Sequence, residues 1–502
     1  MANKMLSFVR VGQAMPGKRR PAERRRDFKE IYSEYDPARA AEQAGRCSQC
    51  GVPFCQVHCP LQNNIPDWLK LTAEGRLEEA YEVSSATNNM PEICGRICPQ
   101  DRLCEGNCVI EKGFEAVTIG SVEKYITDTA FDRGWVKPPK PARELARSVG
   151  IVGAGPAGLA AAEQLRRKGY QVAIYDRYDR AGGLLIYGIP NFKLEKEIVQ
   201  RRTRLLEQGG VAFKMNFAVG RDATLAELRQ RHDALLLATG VYKARDIQCP
   251  GAGLSNIVPA MTYLTASNRK GLGDGVPEFD SGALDARGKK VVVIGGGDTA
   301  MDCVRTAVRQ GATYVKCLYR RDRANMPGSM REVKHAEEEG VEFVWLSAPE
   351  AFLGGARVDP RALTFDSAAV STAAGKVRAV RASRVHLGVP DATGRQTPQA
   401  IENSHFNVDA DLAIEALGFD PEDVPALFGA PELKVTRWGT LAIDHRTQMT
   451  NLEGVFAAGD IVRGASLVVW AVRDGRDAAE GIHRYLAAKA ASEQTVAAQA
   501  AE

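Results

Sequence analysis

The chain has 502 residues, room for about three domains, and at 44% hydrophobic and 25% charged its composition is globular, which excludes a largely disordered or fibrous protein. Sixty-six Lys and Arg against 62 Asp and Glu leave a formal net charge of only +4, so nothing argues for nucleic acid as a partner of the whole chain. The longest apolar runs, such as Val291–Ile294 and Leu467–Val472, fall well short of the roughly 20 residues that span a bilayer. Met1–Arg10 has no apolar core followed by a small-residue cleavage site, and a soluble, cytoplasmic protein without a membrane partner is expected.

Residues 1–40 are polar and basic, with Lys18, Arg19, Arg20, Arg24, Arg25, Arg26 and Lys29 close together. They read as a solvated arm or, alternatively, as a docking surface for an acidic partner. Helix-like segments follow, among them Ile65–Val83, and then Lys137-Pro138-Pro139-Lys140-Pro141, a stiff linker because consecutive prolines continue neither a helix nor a ladder.

Eight of the eleven cysteines fall between Cys47 and Cys108. They form two tetrads, Cys47-x2-Cys50-x4-Cys55-x3-Cys59-Pro60 and Cys94-x3-Cys98-x5-Cys104-x3-Cys108. In a chain without a secretory signal, one dense cluster points to metal ligation rather than disulfides. Structural zinc favours paired Cys-x2-Cys units, and only one occurs here. The Cys-x3-Cys-Pro ending resembles bacterial ferredoxins, in which the last cysteine serves the other of two clusters, so two four-iron clusters are the stronger reading and zinc the alternative. His58 lies inside the first tetrad without a second His at ligand spacing and reads as packing or surface.

From Ser148 onward, β-rich runs alternate with glycine-rich turns and Ala- and Leu-rich helices, the pattern of an α/β fold with parallel sheets. Gly153-Ala154-Gly155-Pro156-Ala157-Gly158 stands between the strand Val149–Val152 and the helix Leu159–Arg167, and Asp176 follows the second strand. The glycines permit a tight turn and close approach to a pyrophosphate, and the acid suits ribose hydroxyls. Gly295-Gly296-Gly297-Asp298-Thr299-Ala300 repeats the device after Lys290–Ile294, but Arg320-Arg321 stand at the end of the next strand where an acid would be. Paired guanidiniums favour a 2′-phosphate, hence NADPH. FAD fits the first site, because Thr239-Gly240 and Gly459-Asp460 end further apolar strands; Ala416-Leu417-Gly418 resembles another such turn.

The expected organisation is two Rossmann-like nucleotide-binding domains, for FAD and NADPH, preceded by a mainly helical iron–sulfur domain. Residues 1–145 would form the iron–sulfur domain with its arm and linker, and 146–285 with 425–485 a discontinuous FAD domain. Residues 286–424 would be the inserted NADPH domain and 486–502 an Ala-rich tail, a frayed helix or disordered. A flavin exchanges hydride with a nicotinamide and single electrons with a cluster, so NADPH to FAD to clusters is the sensible order. The cofactors carry that chemistry, so no catalytic acid, base or nucleophile is assigned.

The two tetrads, Gly153–Gly158, Gly183–Pro190 (GLLIYGIP), Gly295–Ala300 and Ala457–Asp460 together resemble the small (beta) subunit of bacterial NADPH-dependent glutamate synthases, over about residues 25–485. The resemblance implies an electron-input enzyme for a large (alpha) subunit carrying FMN, where glutamine and 2-oxoglutarate yield two glutamates. Proteins sharing this module imply one cluster on Cys47, Cys50, Cys55 and Cys108. They imply a second on Cys59, Cys98 and Cys104 with Glu123 or Cys94 as fourth ligand, Glu123 being preferred. The resemblance also lays Gly183, Leu184 and Gly188 over the flavin. The family usually carries Glu where this chain has Asp176; the shorter acid still reaches a ribose hydroxyl. The arm and the cysteine domain together would dock the large subunit. Two other functions fit the same residues, a stand-alone NADPH:ferredoxin-type oxidoreductase and a zinc-stapled NADPH-sensing scaffold.

Overall fold

A computed structural model describes residues 5–354, 375–392 and 394–501. The cysteine-rich part is helical, built on Ile65–Glu74, Leu77–Thr87, Pro91–Ile97 and Ile119–Asp132. The stretch 65–83 is not one helix: Gly75 takes a left-handed conformation (φ 82°) and Arg76 N–H donates to Leu71 O at 2.9 Å, a glycine C-cap that reverses the chain. Trp68 is fully buried among Leu69, Val122 and Ile126, and its Nε1–H is satisfied by Asn63 Oδ1 at 3.0 Å. Lys137–Pro141 carries neither helix nor strand.

Two five-stranded parallel sheets follow. The first runs Val455–Ala457, Ala234–Leu237, Ser148–Val152, Gln171–Tyr175, Ala212–Lys214 across its width. The second runs Ile257–Pro259, Leu412–Glu415, Lys290–Ile294, Tyr314–Leu318, Glu342–Val344. Their central strands are near-continuous apolar runs, as strands covered on both faces must be. The second sheet lies, in sequence, between two neighbouring strands of the first. A short antiparallel ladder, Lys243–Ala244 with Phe419–Asp420, pairs the outgoing chain with the returning one. Ile257–Pro259, expected with the first unit, hydrogen-bonds into the second sheet beside Leu412–Glu415. Antiparallel strands Ser347–Gly354, Val377–Pro390, Gln396–Ala400 and Phe406–Asp409 were not foreseen. They pack Phe352, Val380 and Val408 against Val292 and Ile294 of the second sheet.

Two expectations are narrowed. The basic arm is not wholly solvated: Arg24 is fully buried, while Arg25, Arg26 and Lys29 stay exposed. Lys18 and Arg24 both reach Glu338 at 2.7 Å, Arg24 also reaches Glu339, and Tyr32 Oη meets His335 Nε2 at 2.9 Å, so part of the arm's charge is met by the helix Met330–Glu338 and the Glu339 that caps it. The tail continues the helix Val468–Ala501. Its first half buries Val469, Val472, Ala478, Ala479, Ile482 and Leu486, and beyond Leu486 alanine's high helix propensity sustains it without an apolar stripe. Among the described residues, no helix is long and apolar enough to cross a membrane.

Candidate functional site

The first glycine-rich turn is shaped by two contacts with backbone and one open face. A Cβ at Gly153 would collide with Ala238 O and one at Gly158 with Gly153 O, which forces both residues to be glycine. At Gly155 the backbone is ordinary (φ −78°) and nothing lies within 4 Å of where a Cβ would stand. That empty space opens into a cavity of about 420 Å³ lined by Gly153, Gly155, Asp176, Gly183, Leu184, Gly240, Gly459 and Asp460. The size is within the range of cofactor pockets. The cradle and its position at the start of the helix Pro156–Arg167 fit a dinucleotide pyrophosphate. Gly158 and Gly188 do not line the cavity; Gly188 closes a helical turn by donating to Leu184 O at 2.9 Å.

Asp176 accepts from Ala154 N–H at 2.7 Å and from Tyr178 N–H at 2.9 Å, pinning the turn while leaving further lone pairs for a ligand. Burial pushes its pKa up against those two bonds. Burial likewise pushes Asp460 up to about 6, opposed by a hydrogen bond from the Ser466 backbone. Tyr178, Tyr242 and Arg177 also line the cavity, with the guanidinium 5.0 Å from the Tyr242 ring centroid and paired to Glu422 at 2.9 Å. Sequence reasoning missed all three. The only local signal was their closeness to Asp176 and Gly240.

The second turn repeats the first. A Cβ at Gly295 would collide with Ala416 O, as one at Gly153 would with Ala238 O. Gly297 (φ −87°) has nothing within 4 Å and caps the helix Asp298–Gln310, which buries Ala300 completely. Asp298 and Thr299 line a second cavity of about 240 Å³, together with Lys193 and Asp302, which are bonded at 2.9 Å. Burial pushes Asp302 up to about 6 despite Lys193. Arg320 is exposed at the end of the Tyr314–Leu318 strand, while Arg321 Nε donates to Gln396 O at 3.2 Å.

None of the eleven cysteines is paired in a disulfide. Burial raises Cys47, and raises Cys55 to about 12; Cys108 and Cys50 add to both, so these four share one neighbourhood. Cys59, Cys94, Cys98 and Cys104 line another, together with Glu123. A hydrogen bond from Cys98 to Cys94, together with burial, raises Cys98, and burial raises Cys104. Asn88 stands between the two rival ligands, donating to Glu123 Oε1 at 3.1 Å and facing Cys94 Sγ at 3.8 Å. Burial takes Glu123 up to about 8. Among the described residues, no three His, Cys, Asp or Glu side chains close on one point as ligands of a single ion do. Two groups of soft thiolate donors, one thiol of each tetrad standing with the other, fit the donor chemistry of two clusters. His58 is a surface residue, with Nδ1 at 2.9 Å from Phe54 O.

Comparisons with known proteins agree with this division. Residues 24–135 match the family described as dihydropyrimidine dehydrogenase domain II, 4Fe-4S cluster, and residues 147–475 match pyridine nucleotide-disulphide oxidoreductase. The glutamate synthase [NADPH] small chain of Azospirillum brasilense is 69% identical over 501 residues, covering 99% of this chain and 100% of that one. That of Escherichia coli is 42% identical, covering 97% and 100%. Among solved structures, Mycobacterium tuberculosis FprA in complex with NADPH shares the fold, with a TM-score of 0.55 and 19% identity over 69% of this chain and 86% of that one. With identity sustained from end to end, and a cluster domain joined to two dinucleotide turns, the chain belongs to the family of glutamate synthase [NADPH] small chains.

Proposed function

We propose that the chain is the electron-input subunit of a glutamate synthase. It takes electrons from NADPH at a bound FAD and hands them through two [4Fe-4S] clusters to a separate large (alpha) subunit carrying FMN, where glutamine and 2-oxoglutarate become two glutamates. When bound, the flavin supplies the exchange between a two-electron hydride donor and one-electron acceptors.

The residues act by holding and orienting. Gly153 and Gly155 with the helix start at Pro156 would hold the FAD pyrophosphate, Gly158 packing against the turn from behind, and Asp176 would hold the ribose. Gly183, Leu184, Gly240, Gly459 and Asp460 would enclose the rest, with Gly188 closing the turn that carries Leu184. Gly295, Gly297, Asp298, Thr299 and Ala300 would form the NADPH turn, with Arg320 and Arg321 at the 2′-phosphate. Cys47, Cys50, Cys55 and Cys108 would ligate one cluster; Cys59, Cys98, Cys104 and Glu123 the other. The cysteine-rich domain is the contact face for the large subunit.

The observation that carries this reading is the segment Ser466–Val469. Ser466, Leu467 and Val468 wall both the first cavity and the second. Val469 walls the second cavity and the space among Cys59, Cys98 and Cys104. One short segment thus borders the first cavity, the second cavity and the cysteine-lined space, which supports a compact arrangement of donor, flavin and acceptor.

Anaerobic NADPH titration of the purified holoprotein, with visible absorbance, EPR and iron, sulfide and zinc analysis, tests the redox reading. Flavin bleaching with about eight irons per chain is expected. A colourless, zinc-loaded chain indifferent to NADPH would overturn it in favour of a scaffold. Glutamate formation only when the large subunit is added separates the proposal from a stand-alone ferredoxin-type oxidoreductase.

A further inference from the structure

Two side chains of the loop that carries the second cysteine tetrad reach the segment 326–329, which itself contacts the second dinucleotide turn. Arg102 lies between Cys98 and Cys104 in sequence, and its guanidinium donates to three consecutive carbonyls: Met326 O at 2.8 Å, Pro327 O, and Gly328 O at 2.9 Å. Beside it, both oxygens of Asp101 accept from the Ser329 hydroxyl, at 3.1 and 3.2 Å. Residues 319–329 form neither helix nor strand, and beyond Arg321 they pair with no strand ladder.

The loop held in this way leans on the glycine-rich turn. Gly328 N–H donates to Gly296 O at 2.9 Å, and Ser329 N–H donates to Asp298 Oδ1 at 2.9 Å. A Cβ at Gly328 would stand only 3.1 Å from Gly296 O, so loop and turn are packed backbone against backbone. Gly296 and Asp298 belong to the backbone that would cradle the nucleotide's pyrophosphate, and a cradle that must be ordered on binding costs affinity.

We propose that Arg102 and Asp101 are positioning residues of the NADPH site, lent to it by the iron–sulfur domain. They hold the 326–329 loop, and through it the Gly295–Ala300 turn, in the conformation that binds the nucleotide. This rests on the reading that the second turn takes NADPH. The guanidinium's planar fork serves several carbonyls at once, which a lysine ammonium does less well.

The test is equilibrium titration of oxidised, full-length holoprotein with NADP+, followed by difference absorbance of the flavin, alongside steady-state NADPH oxidation. Arg102→Ala is expected to weaken NADP+ about tenfold, the loss of a charged hydrogen-bond set. KM should rise in parallel and kcat change by less than about twofold, with iron and flavin content unchanged; Arg102→Lys should recover part of the affinity. Ser329→Ala cuts the Asp101 contact from the other side without touching the cysteine hairpin, and should weaken NADP+ about threefold. If Arg102→Ala loses its iron, Ser329→Ala decides alone. Parental affinity in Ser329→Ala and in an iron-replete Arg102→Ala, or a loss confined to kcat, overturns the proposal. Failure of the parent protein to bind NADP+ would instead overturn the NADPH reading beneath it.

Discussion

Arg24 of the N-terminal arm and Glu339, 315 positions later, have fully buried side chains that meet at 3.2 Å. Arg305 and Arg309 donate to the same carboxylate, and the Phe192 ring lies 4.5 Å from the one guanidinium and 3.9 Å from the other. Phe192 follows the GLLIYGIP segment of the first unit, so arm, first unit and second unit meet at one ionic cluster.

Removing one partner from a buried ion network leaves an uncompensated charge, typically at a cost of about 3–5 kcal/mol. Arg24→Ala is therefore expected to lower stability by that order in chemical denaturation. Arg25→Ala and Arg26→Ala, both exposed, should stay within about 0.5 kcal/mol. Equal effects at the three positions would contradict the buried role of Arg24.

The same cluster has a pH signature. Burial pushes Glu339 upward, but the hydrogen bond from Arg309 and the charge of Arg305 outweigh it and hold the pKa at about 2, below the ordinary 4.5. Between those values the unfolded chain binds more protons than the folded one. Stability that is complete above the ordinary value is thus lost as pH falls toward the folded one. Urea midpoints measured from about pH 5 to about pH 3 should fall steeply in the parent and less steeply in Glu339→Gln. Parallel slopes would remove Glu339 as the cause.

Gly155 and Gly297 offer a clean test of both dinucleotide turns, because neither is glycine for the protein's own sake. Each has an ordinary backbone and open space where a Cβ would stand. Gly155→Ala is expected to fold with a near-parental thermal midpoint but to purify with FAD largely lost. Gly297→Ala should keep FAD and raise the KM for NADPH about tenfold or more. Full FAD occupancy in Gly155→Ala would show that the pyrophosphate lies elsewhere.

For the proposed second cluster, Glu123→Ala and Cys94→Ser separate the rival ligands that Asn88 joins. Glu123→Ala should lose the EPR signal of one cluster and about half of the iron. Cys94→Ser should keep both. The opposite pattern would assign the fourth ligand to Cys94.

The arginines beyond the Tyr314–Leu318 strand are not equivalent, since Arg321 is engaged with Gln396 and Arg320 is exposed. Arg320→Ala should therefore lower the preference for NADPH over NADH about tenfold, read as the ratio of the two kcat/KM values. An unchanged ratio would leave the 2′-phosphate to another residue.

Sequence by itself determined the parts whose requirements are local. Each dinucleotide turn is legible because a strand, a turn and a helix follow one another directly. Gly153 and Gly295 have no room for a side chain beside Ala238 O and Ala416 O. The tetrads are legible because thiols three to six positions apart sit in tight turns. Tertiary structure alone decided the rest. It brought Cys108 to Cys47 and Cys55, and Cys59 to Cys98 and Cys104. It buried Arg24 against Glu339, ranged Tyr178, Tyr242 and Arg177 around the first cavity, and joined Arg102 to the 326–328 carbonyls. The physical reason is the same in each case. A charge or a thiol gains its partner only when distant segments fold together, and no periodicity or spacing along the chain encodes which one it meets.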